Sequence, residues 1–461
     1  MDAAAAAVER RVGRGAIWAF AGRILGVLAQ VALLALLPRY VTPAEFGAFT
    51  LLTNLMMIFG IIGVVGLNDG NVRFLAEAAA RGDGDRLRFL VRGGLRLTFF
   101  ASVLCGAVAG LGLWLSGHSL LGLGSPVFLC GSVAIGIVLL ALQLFAAESL
   151  RGLHHLRAAS FLSGGAMGGA LTTAVFVVAA TIAVLFGVRS VTALQGFYLA
   201  SLAAVLPLSL WLLSRTTANA LAALPQSGID SYTLGQLFRD GLPYLGVHLL
   251  VFATMNADLW LVNAFCSMSD VGLYSAARRL MLAVAIAGQI AAQATVSSIP
   301  DLAARGRLAE LELLLRRAAL WAWLPSAAVS VVLLTVPGWV LGVVSGPEYA
   351  AVAPVLQILA AGNLLVACFG NPIHVLIMTG RQYVGLAVYA VAALLLAIGG
   401  AWAGAKYGLV GVATATAICT VLQSGLSWWL AKRLVGVWTH PSRNLRASAP
   451  ATNTLSCEAA R

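Results

Sequence analysis

The chain consists of long, continuously apolar runs separated by short polar connections. A helix that crosses a bilayer needs about 20 mostly apolar residues, whereas strands of a transmembrane barrel alternate between apolar and polar positions. These runs do not alternate, so they predict helices. The pattern indicates an all-α integral membrane protein of about twelve transmembrane helices, over residues 15–37, 45–66, 97–117, 125–148, 158–186, 190–213, 243–265, 271–298, 319–344, 350–377, 382–404 and 407–431.

Composition and charge agree with this picture. The 461 residues are 60% hydrophobic and 10% charged, whereas a soluble domain is about 25% charged. A net charge of +12 would indicate a nucleic-acid partner in a soluble protein. Here the basic residues lie between apolar runs, so we assign them to the anionic face of a lipid bilayer and predict no nucleic-acid partner. The six cysteines form no C-x-x-C pair, and no metal site is predicted.

The distribution of Lys and Arg predicts the orientation, because cytoplasmic connections carry an excess of both. With a cytoplasmic N-terminus, the inner connections hold most of the 29 basic residues, and the outer ones hold Arg39, Arg189 and Lys406. We therefore predict a multi-pass protein with both termini in the cytoplasm. Its outer loops are too short to form a catalytic domain.

An internal repeat predicts two halves. Residues 45–49 and 270–274 both follow the order acidic, apolar, glycine, apolar, aromatic, and six predicted helices separate them. An even number of helices per repeat gives both copies the same topology, related by an axis along the membrane normal. The sequence thus predicts two six-helix bundles with pseudo-two-fold symmetry, at 1–215 and 216–436, and a disordered cytoplasmic tail at 437–461.

Glycines spaced four residues apart predict close packing between helices. Such pairs occur at Gly106 and Gly110, at Gly400 and Gly404, and in overlapping form between residues 164 and 169. These are packing signals, and they carry no information about a substrate.

Basic side chains inside predicted spans are candidate binding residues, because burying charge in a bilayer costs at least a few kcal/mol. Arg23 in the first span shares a helical face with Gln30. Two interpretations stay open: Arg23 extends back to the cytoplasmic headgroups, or it faces a wet cavity that holds a phosphate. We include Arg23 and Gln30 in the predicted substrate-binding set.

The eighth span adds Arg278 and Arg279, whose adjacent side chains point about 100° apart, so at most one fully faces a cavity. The alternative is that one of them faces headgroups. Gln289 lies about three turns from Arg278 on the same face. Asn54 in the second span is a weaker candidate. These four residues complete the predicted substrate-binding set.

Asp258 is the acidic residue that lies clearly inside a predicted span, and His248 belongs to the same helical stripe. A carboxylate and an imidazole so placed bind a proton or Na⁺, which makes H⁺ or Na⁺ the candidate coupling ion. The alternative is an ion pair between Asp258 and Arg278 or Arg279. The sequence leaves both open and predicts no other cofactor.

Motifs of catalysis and nucleotide binding are missing from the sequence. It contains no H-E-x-x-H, no G-x-x-x-x-G-K-[ST] and no G-x-S-x-G. We therefore predict that the chain is not an enzyme. Any transport would depend on an ion gradient or on the gradient of the substrate itself.

Several segments carry a family resemblance. Residues 13–23, 37–49 and 66–76 resemble the Wzx-type polysaccharide transporters, the lipid-linked oligosaccharide flippases of the multidrug/oligosaccharidyl-lipid/polysaccharide (MOP) exporter superfamily. Residues 238–244, 270–280 and 407–413 resemble landmarks in the second half of the same family, so that the resemblance extends over about residues 12 to 435.

The resemblance implies a MATE-like fold of two bundles and an alternating-access mechanism. It implies transport of undecaprenyl-diphosphate-linked oligosaccharides across the bacterial inner membrane, for O-antigen, exopolysaccharide or capsule synthesis, beside polysaccharide polymerase machinery. It also implies a cationic cavity to which the first and seventh spans contribute, and these spans hold Arg23 and Asp258 here. A diphosphate prefers forked guanidinium donors. Two alternatives are a MATE-like drug/cation antiporter, which needs acidic cavity groups, and a membrane glycosyltransferase or ligase, which needs outer carboxylates.

Overall fold

The computed structural model describes residues 22, 25–26, 28–33, 35–116, 124–163, 167–188, 190–222, 233–296, 299, 302–303 and 305–442. In these residues every regular element is helical. Helical residues at 28–33 and 35–40 precede fourteen numbered helices. Their bounds are α1 Pro43–Gly63, α2 Leu67–Arg81, α3 Gly84–Leu115, α4 Pro126–Gly152, α5 Leu156–Leu162, α6 Ala170–Leu185, α7 Val191–Ala222, α8 Leu234–Phe265, α9 Met268–Val296, α10 Leu308–Thr335, α11 Pro337–Val344, α12 Ala353–Ala367, α13 Pro372–Met378 and α14 Gln382–Val435. A 3₁₀ helix, Pro347–Val352, leads into α12.

The helices have the length and composition of membrane spans. Within the described residues, eight helical stretches are long and apolar enough to cross a bilayer. One of them, α14, has 54 residues and contains a non-helical residue, Gly408, at φ 59°. This break falls at the second residue of the span predicted over 407–431, close to the end of the span predicted over 382–404. Many large apolar side chains are exposed, among them Leu185 at 79% and Trp321 at 76%, as expected where lipid is the solvent.

Two helices extend well beyond their predicted spans. Helix α3 begins at Gly84 instead of residue 97, and α8 begins at Leu234 instead of residue 243. Hydropathy detects only the apolar part of a helix, whereas helical turns rich in Arg continue past the bilayer. The polar residues directly before the predicted seventh span form the first part of α8.

Glycine and proline interrupt three predicted spans. The span predicted over 158–186 is divided into α5 and α6, and Gly168 and Gly169 between them have φ values of 86° and 127°. These conformations favour glycine, and they place both residues outside the helical region directly before α6. Pro337 separates α10 from α11, and Gly370, at φ 73°, lies between α12 and α13.

Contacts divide the chain into two units. The first contains residues 1–252 and 267–273, and the second contains residues 253–266 and 274–461. The boundary between the two predicted halves, at 215/216, was derived from the internal repeat, so it differs from the division given by the contacts. The first unit includes the start of α8 because Gly241 packs against the backbone at Val65 and Gly66, where any Cβ would overlap a carbonyl oxygen.

Helix α4 is at the centre of the first unit and packs against α1, α2, α3 and α7. The predicted close packing at Gly106 and Gly110 is confirmed: Cβ atoms built there would lie 2.6 Å and 3.1 Å from carbonyl oxygens of α4. Three buried rings from α1, α6 and α7 fill the core, with Phe176 5.6 Å from both Phe49 and Tyr198 between ring centroids.

The two copies of the repeat lie against each other inside the first unit. Thr42 and Glu45 form a capping box at the start of α1, and Ser267 and Asp270 exchange the same hydrogen bonds at the start of α9. A Cβ on Gly47 of α1 would be 2.7 Å from the amide nitrogen of Gly272, and one on Gly272 would overlap the Pro43 carbonyl. Glycine at both positions therefore permits direct contact between the two backbones.

In the second unit, α12 and α13 pack on α14, and α10 packs on α12. The glycine pair of α14 is also confirmed as a packing site. Cβ atoms built on Gly400 and Gly404 would meet Leu261 at 2.5 Å and Phe265 at 3.0 Å, both on α8.

The segment after α14 is packed where a disordered tail was predicted from residue 437. Val437 and Thr439 are buried. The amide of Trp438 donates to Glu312 of α10 at 3.2 Å, and the Thr439 hydroxyl donates to the Phe369 carbonyl at 2.6 Å. The buried Glu312, which accepts this backbone hydrogen bond, holds the segment in place. No sequence pattern predicts that pairing. Residues 443–461 lie outside the described residues.

The packing of the segment after α14 is expected to depend on pH. Burial, and secondarily Arg316, hold the pKa of His440 below its ordinary value, although Glu312 opposes the shift. Lys432, 5.1 Å from the Trp438 ring centroid, adds another cation nearby. Because the packed state favours neutral imidazole, its stabilisation is present above about pH 6.5 and is lost as the pH falls through the lowered pKa.

We expect the Trp438 amide to exchange with deuterium several-fold faster at pH 5.5 than at pH 7.5, after correction for intrinsic rates. The variant His440→Gln, which stays neutral, is the control and is expected to show no such acceleration. Equal corrected rates for the unsubstituted protein at both pH values would contradict the expectation.

Candidate functional site

The predicted substrate-binding residues do not all fall within the described chain. Arg23 lies outside the described residues, as does the side chain of Gln289 on α9. Gln30 and Asn54, on the helical residues before α1 and on α1, are half-buried in the first unit. For these four residues the binding role stays a prediction.

The second unit contains a buried polar cluster around Asp258 on α8. Asp258 is 4% exposed, and Arg278 of α9 places its Nε 3.1 Å from the carboxylate Oδ2. The Tyr274 hydroxyl donates to the same oxygen at 2.9 Å. The other oxygen, Oδ1, accepts from the Leu259 amide at 2.9 Å. Both carboxylate oxygens thus have donors, as a buried charge requires.

The contacts of Arg278 agree with one of the two interpretations of Asp258, an ion pair between Asp258 and an arginine of the next span. Its Nη2 also donates to the Met255 carbonyl, and it lies 3.3 Å from Oδ1 of Asn256. These contacts engage the guanidinium fork that a phosphate would need. Arg278 therefore acts as the partner of Asp258, and its predicted role as a phosphate ligand would require this cluster to open.

The two other polar candidates are not part of the cluster as described. Arg279, next to Arg278 on α9, is half-buried and has contacts of its own. His248 belongs to the first unit, where its Nδ1 is 3.1 Å from the Tyr244 carbonyl oxygen. Asp258 belongs to the second unit. The shared stripe on α8 therefore extends over both units, and a joint ion-coupling role of Asp258 and His248 stays a prediction.

Every buried carboxylate among the described residues has an arginine partner. Besides Asp258, Glu148 on α4 is 2.8 Å from Arg151, and Glu312 on α10 is 3.1 Å from Arg316. These are the buried acidic side chains in the described part of the chain. None of the three offers an uncompensated negative charge to a cationic ligand. The described residues contain no group of three His, Cys, Asp or Glu side chains that could bind a metal ion.

Tyr274 is the member of the cluster that the sequence did not single out. A tyrosine in an apolar span is ordinarily a packing residue. The available signal was the repeat, because Tyr274 matches Phe49, and only the second copy carries a hydroxyl. That hydroxyl reaches Asp258, whereas Phe49 packs against Phe176.

Comparison with known proteins gives a family and a fold. A family model described as polysaccharide biosynthesis protein matches residues 12–304. No curated protein matches the sequence.

Solved structures of low sequence identity share the fold over most of both chains. An inward-facing multidrug-resistance MATE family transporter of the MOP superfamily has a TM-score of 0.65 at 16% identity, covering 91% of this chain and 98% of its own. The lipid II flippase MurJ, in an inward closed conformation, has a TM-score of 0.58 at 13% identity, covering 91% and 87%. A MOP superfamily transporter from Pyrococcus furiosus, noted for a binding pocket of reversed polarity, has a TM-score of 0.50 at 14% identity, covering 89% and 98%. The predicted MATE-like fold is confirmed.

Proposed function

We propose, from the premise that this chain belongs to the polysaccharide biosynthesis protein family, that it is a flippase for undecaprenyl-diphosphate-linked oligosaccharides. The chain is a multi-pass membrane transporter with a MOP-type fold and is not an enzyme. In the proposal it moves the lipid-linked glycan to the outer leaflet of the bacterial inner membrane, with both termini in the cytoplasm. The glycan then supplies synthesis of O-antigen, exopolysaccharide or capsule, beside polymerase machinery.

The observation that supports this substrate is the charge balance of the buried residues. Asp258, Glu148 and Glu312 are each neutralised by an arginine, so the described helices carry no uncompensated buried acid. A drug/cation antiporter needs such an acid to attract its cargo. The antiporter alternative is therefore less favoured.

We also propose that turnover follows alternating access between two six-helix halves, 1–215 and 216–436. The energy source is a gradient of H⁺, of Na⁺ or of the substrate. Asp258 is the carboxylate on which an ion would act, with His248 as a second candidate. The geometry of Asp258 also supports a purely structural role, and the experiment that separates the two is given in the Discussion.

A flipping experiment with purified protein tests the proposed substrate. Vesicles would contain the full-length chain and an undecaprenyl-diphosphate-linked oligosaccharide with a fluorophore on the sugar. An impermeant reductant bleaches only the outer leaflet, so we expect the protected inner pool to bleach fast with the protein and slowly without it. A matched lipid without the diphosphate is expected to stay protected. Export of a lipophilic cationic dye, with no movement of the glycolipid, would overturn the proposal in favour of the antiporter.

Arg23 provides the sharpest substitution for this assay. We expect Arg23→Ala to abolish flipping, and glycan export in cells, while the protein still reaches the membrane, because the phosphate would lose the cation proposed to hold it. Arg381→Ala, which removes an exposed arginine, is the control and should retain full activity. Unchanged flipping by Arg23→Ala would place this side chain among the headgroups and remove it from the substrate site.

A further inference from the structure

Three arginines form a stripe on one face of α3. Arg88, Arg92 and Arg96 are four residues apart along the helix, so their side chains lie above one another. Arg88 is half-buried, and the other two are exposed. The charge distribution of the whole chain assigns this end of α3 to the cytoplasmic side. The stripe thus lies at the depth of the inner-leaflet headgroups.

The stripe has no acidic partner within the described residues. Other arginines of the chain have a glutamate three or four residues away on their own helix, as in Arg73 with Glu77 at 2.6 Å and Arg316 with Glu312 at 3.1 Å. No ion pair or hydrogen bond involves Arg88, Arg92 or Arg96 among the residues described. Asp85 is nearby but has contacts of its own. Within the described part of the chain, the three guanidinium groups therefore have no internal anion to bind.

The arginine side chains border a groove whose lining is mostly apolar. A cavity of about 300 Å³ is bounded by the stripe, by Asp85, Phe89 and Gly93 of α3, and by Leu234 at the start of α8. Gly93 keeps the floor open, because a Cβ there would be 3.2 Å from Leu234 and 3.3 Å from Phe89. The amino-terminal end of α8 contributes the positive pole of its helix dipole to the same groove.

The surface of α3 changes from basic to apolar directly above the groove. Phe99 and Val103 continue the arginine face, and Phe100 and Leu104 lie beside them, with exposed fractions between 44% and 69%. Exposed phenylalanines in a membrane span face lipid tails. A ligand held by the arginines would therefore have its headgroup in the groove and an acyl chain along these side chains.

We infer that this groove binds the phosphate of an anionic phospholipid from the cytoplasmic leaflet. A phosphodiester carries a full negative charge and accepts bidentate hydrogen bonds from guanidinium groups. The volume suits a glycerophosphate headgroup and is at the lower end of the range for small-molecule sites, so it is small for an oligosaccharide on a diphosphate. The inference does not depend on the proposed transport function, and its test does not use transport.

Native mass spectrometry of the full-length protein tests the lipid directly. Purified protein would be titrated with phosphatidylglycerol and, separately, with zwitterionic phosphatidylethanolamine. We expect one phosphatidylglycerol to be retained preferentially. Retention should fall about tenfold or more in R88Q/R92Q/R96Q, because the three cations that attract the anionic headgroup are removed. The matched control R239Q/R317Q/R381Q removes three exposed arginines elsewhere and should bind as the unsubstituted protein does. Equal loss in both triple variants would overturn the inference in favour of diffuse attraction.

A second variant keeps every charge and fills the groove. Gly93→Leu is expected to lower phosphatidylglycerol retention to a similar extent with the net charge unchanged, and it decides the matter if the triple arginine variant does not fold. Unchanged retention in a folded Gly93→Leu protein would overturn the inference. Displacement of phosphatidylglycerol by equimolar undecaprenyl diphosphate would also overturn the inference, because it would identify the groove as a substrate site. Displacement by millimolar inorganic phosphate would overturn it as well, because it would identify a site for free anions.

Discussion

Replacing Gly272 with leucine is expected to slow transport about a hundredfold, because a cost of about 3 kcal/mol for overpacking disfavours the closed state by that factor. Gly272 touches the backbone of α1 at Pro43 and Gly47. The predicted topology assigns these helix starts to the outer side. We propose that this contact forms when the outer side closes, so that a leucine side chain would hold the two helix starts apart.

Two measurements check this expectation. The first is the rate of glycolipid flipping. The second uses a cysteine-free background with Leu51→Cys, which is buried one turn below Gly47. An impermeant maleimide added from outside should label this cysteine faster when Gly272 is leucine. The control is Gly112→Leu on α3, where a Cβ meets nothing within 4 Å. Normal flipping by a folded Gly272→Leu protein would show that the contact is not part of the cycle.

Replacing Asp258 with asparagine is expected to destabilise the protein by about 2 kcal/mol, because the half-buried Arg278 would lose its charge-assisted hydrogen bond and its counter-ion. Tyr274 would also lose its acceptor. Removing both charges in Asp258→Asn/Arg278→Gln should restore most of the stability, since no uncompensated ion remains. Thermal unfolding in detergent measures both effects.

The double variant also distinguishes the two roles of Asp258. If the carboxylate only neutralises Arg278, the restored protein should flip glycolipid with the pH and Na⁺ dependence of the unsubstituted chain. A loss of that dependence in the folded double variant would instead identify Asp258 as the coupling carboxylate. Asn256→Ala, which removes a weaker contact of Arg278, is a matched control that leaves both charges in place.

The positions of the membrane helices could be predicted because burial in lipid imposes a continuous apolar stretch on each span. Their ends and breaks could not be predicted. The charged first turns of α3 and α8 belong to the same helices, but hydropathy cannot separate a charged helical turn from a loop. The division between α5 and α6 depends on positive φ values at Gly168 and Gly169. Glycines in that spacing equally predict an unbroken, closely packed helix.

The sequence predicted one part of the candidate site and missed a contact between the two copies of the repeat. The pairing of Asp258 with Arg278 was one of two stated alternatives, because two opposite charges in consecutive spans stabilise each other in a bilayer. The repeat at 45–49 and 270–274 was visible, but the contact between Gly47 and Gly272 was not. Sequence similarity between two segments indicates common topology, and it carries no information on whether the two copies touch.

The pair formed by Asp258 and Arg278 also bears on how the chain is made. Either charge alone would cost about 2.5–3.5 kcal/mol when its helix leaves the translocon for lipid. Only Cys266 and Ser267 separate α8 from α9, so the two helices can form a tight hairpin with the charges joined at 3.1 Å. Biosynthesis would then deliver them to the bilayer as one neutral unit. A ribosome stalled between the two helices should leave α8 poorly integrated until α9 emerges.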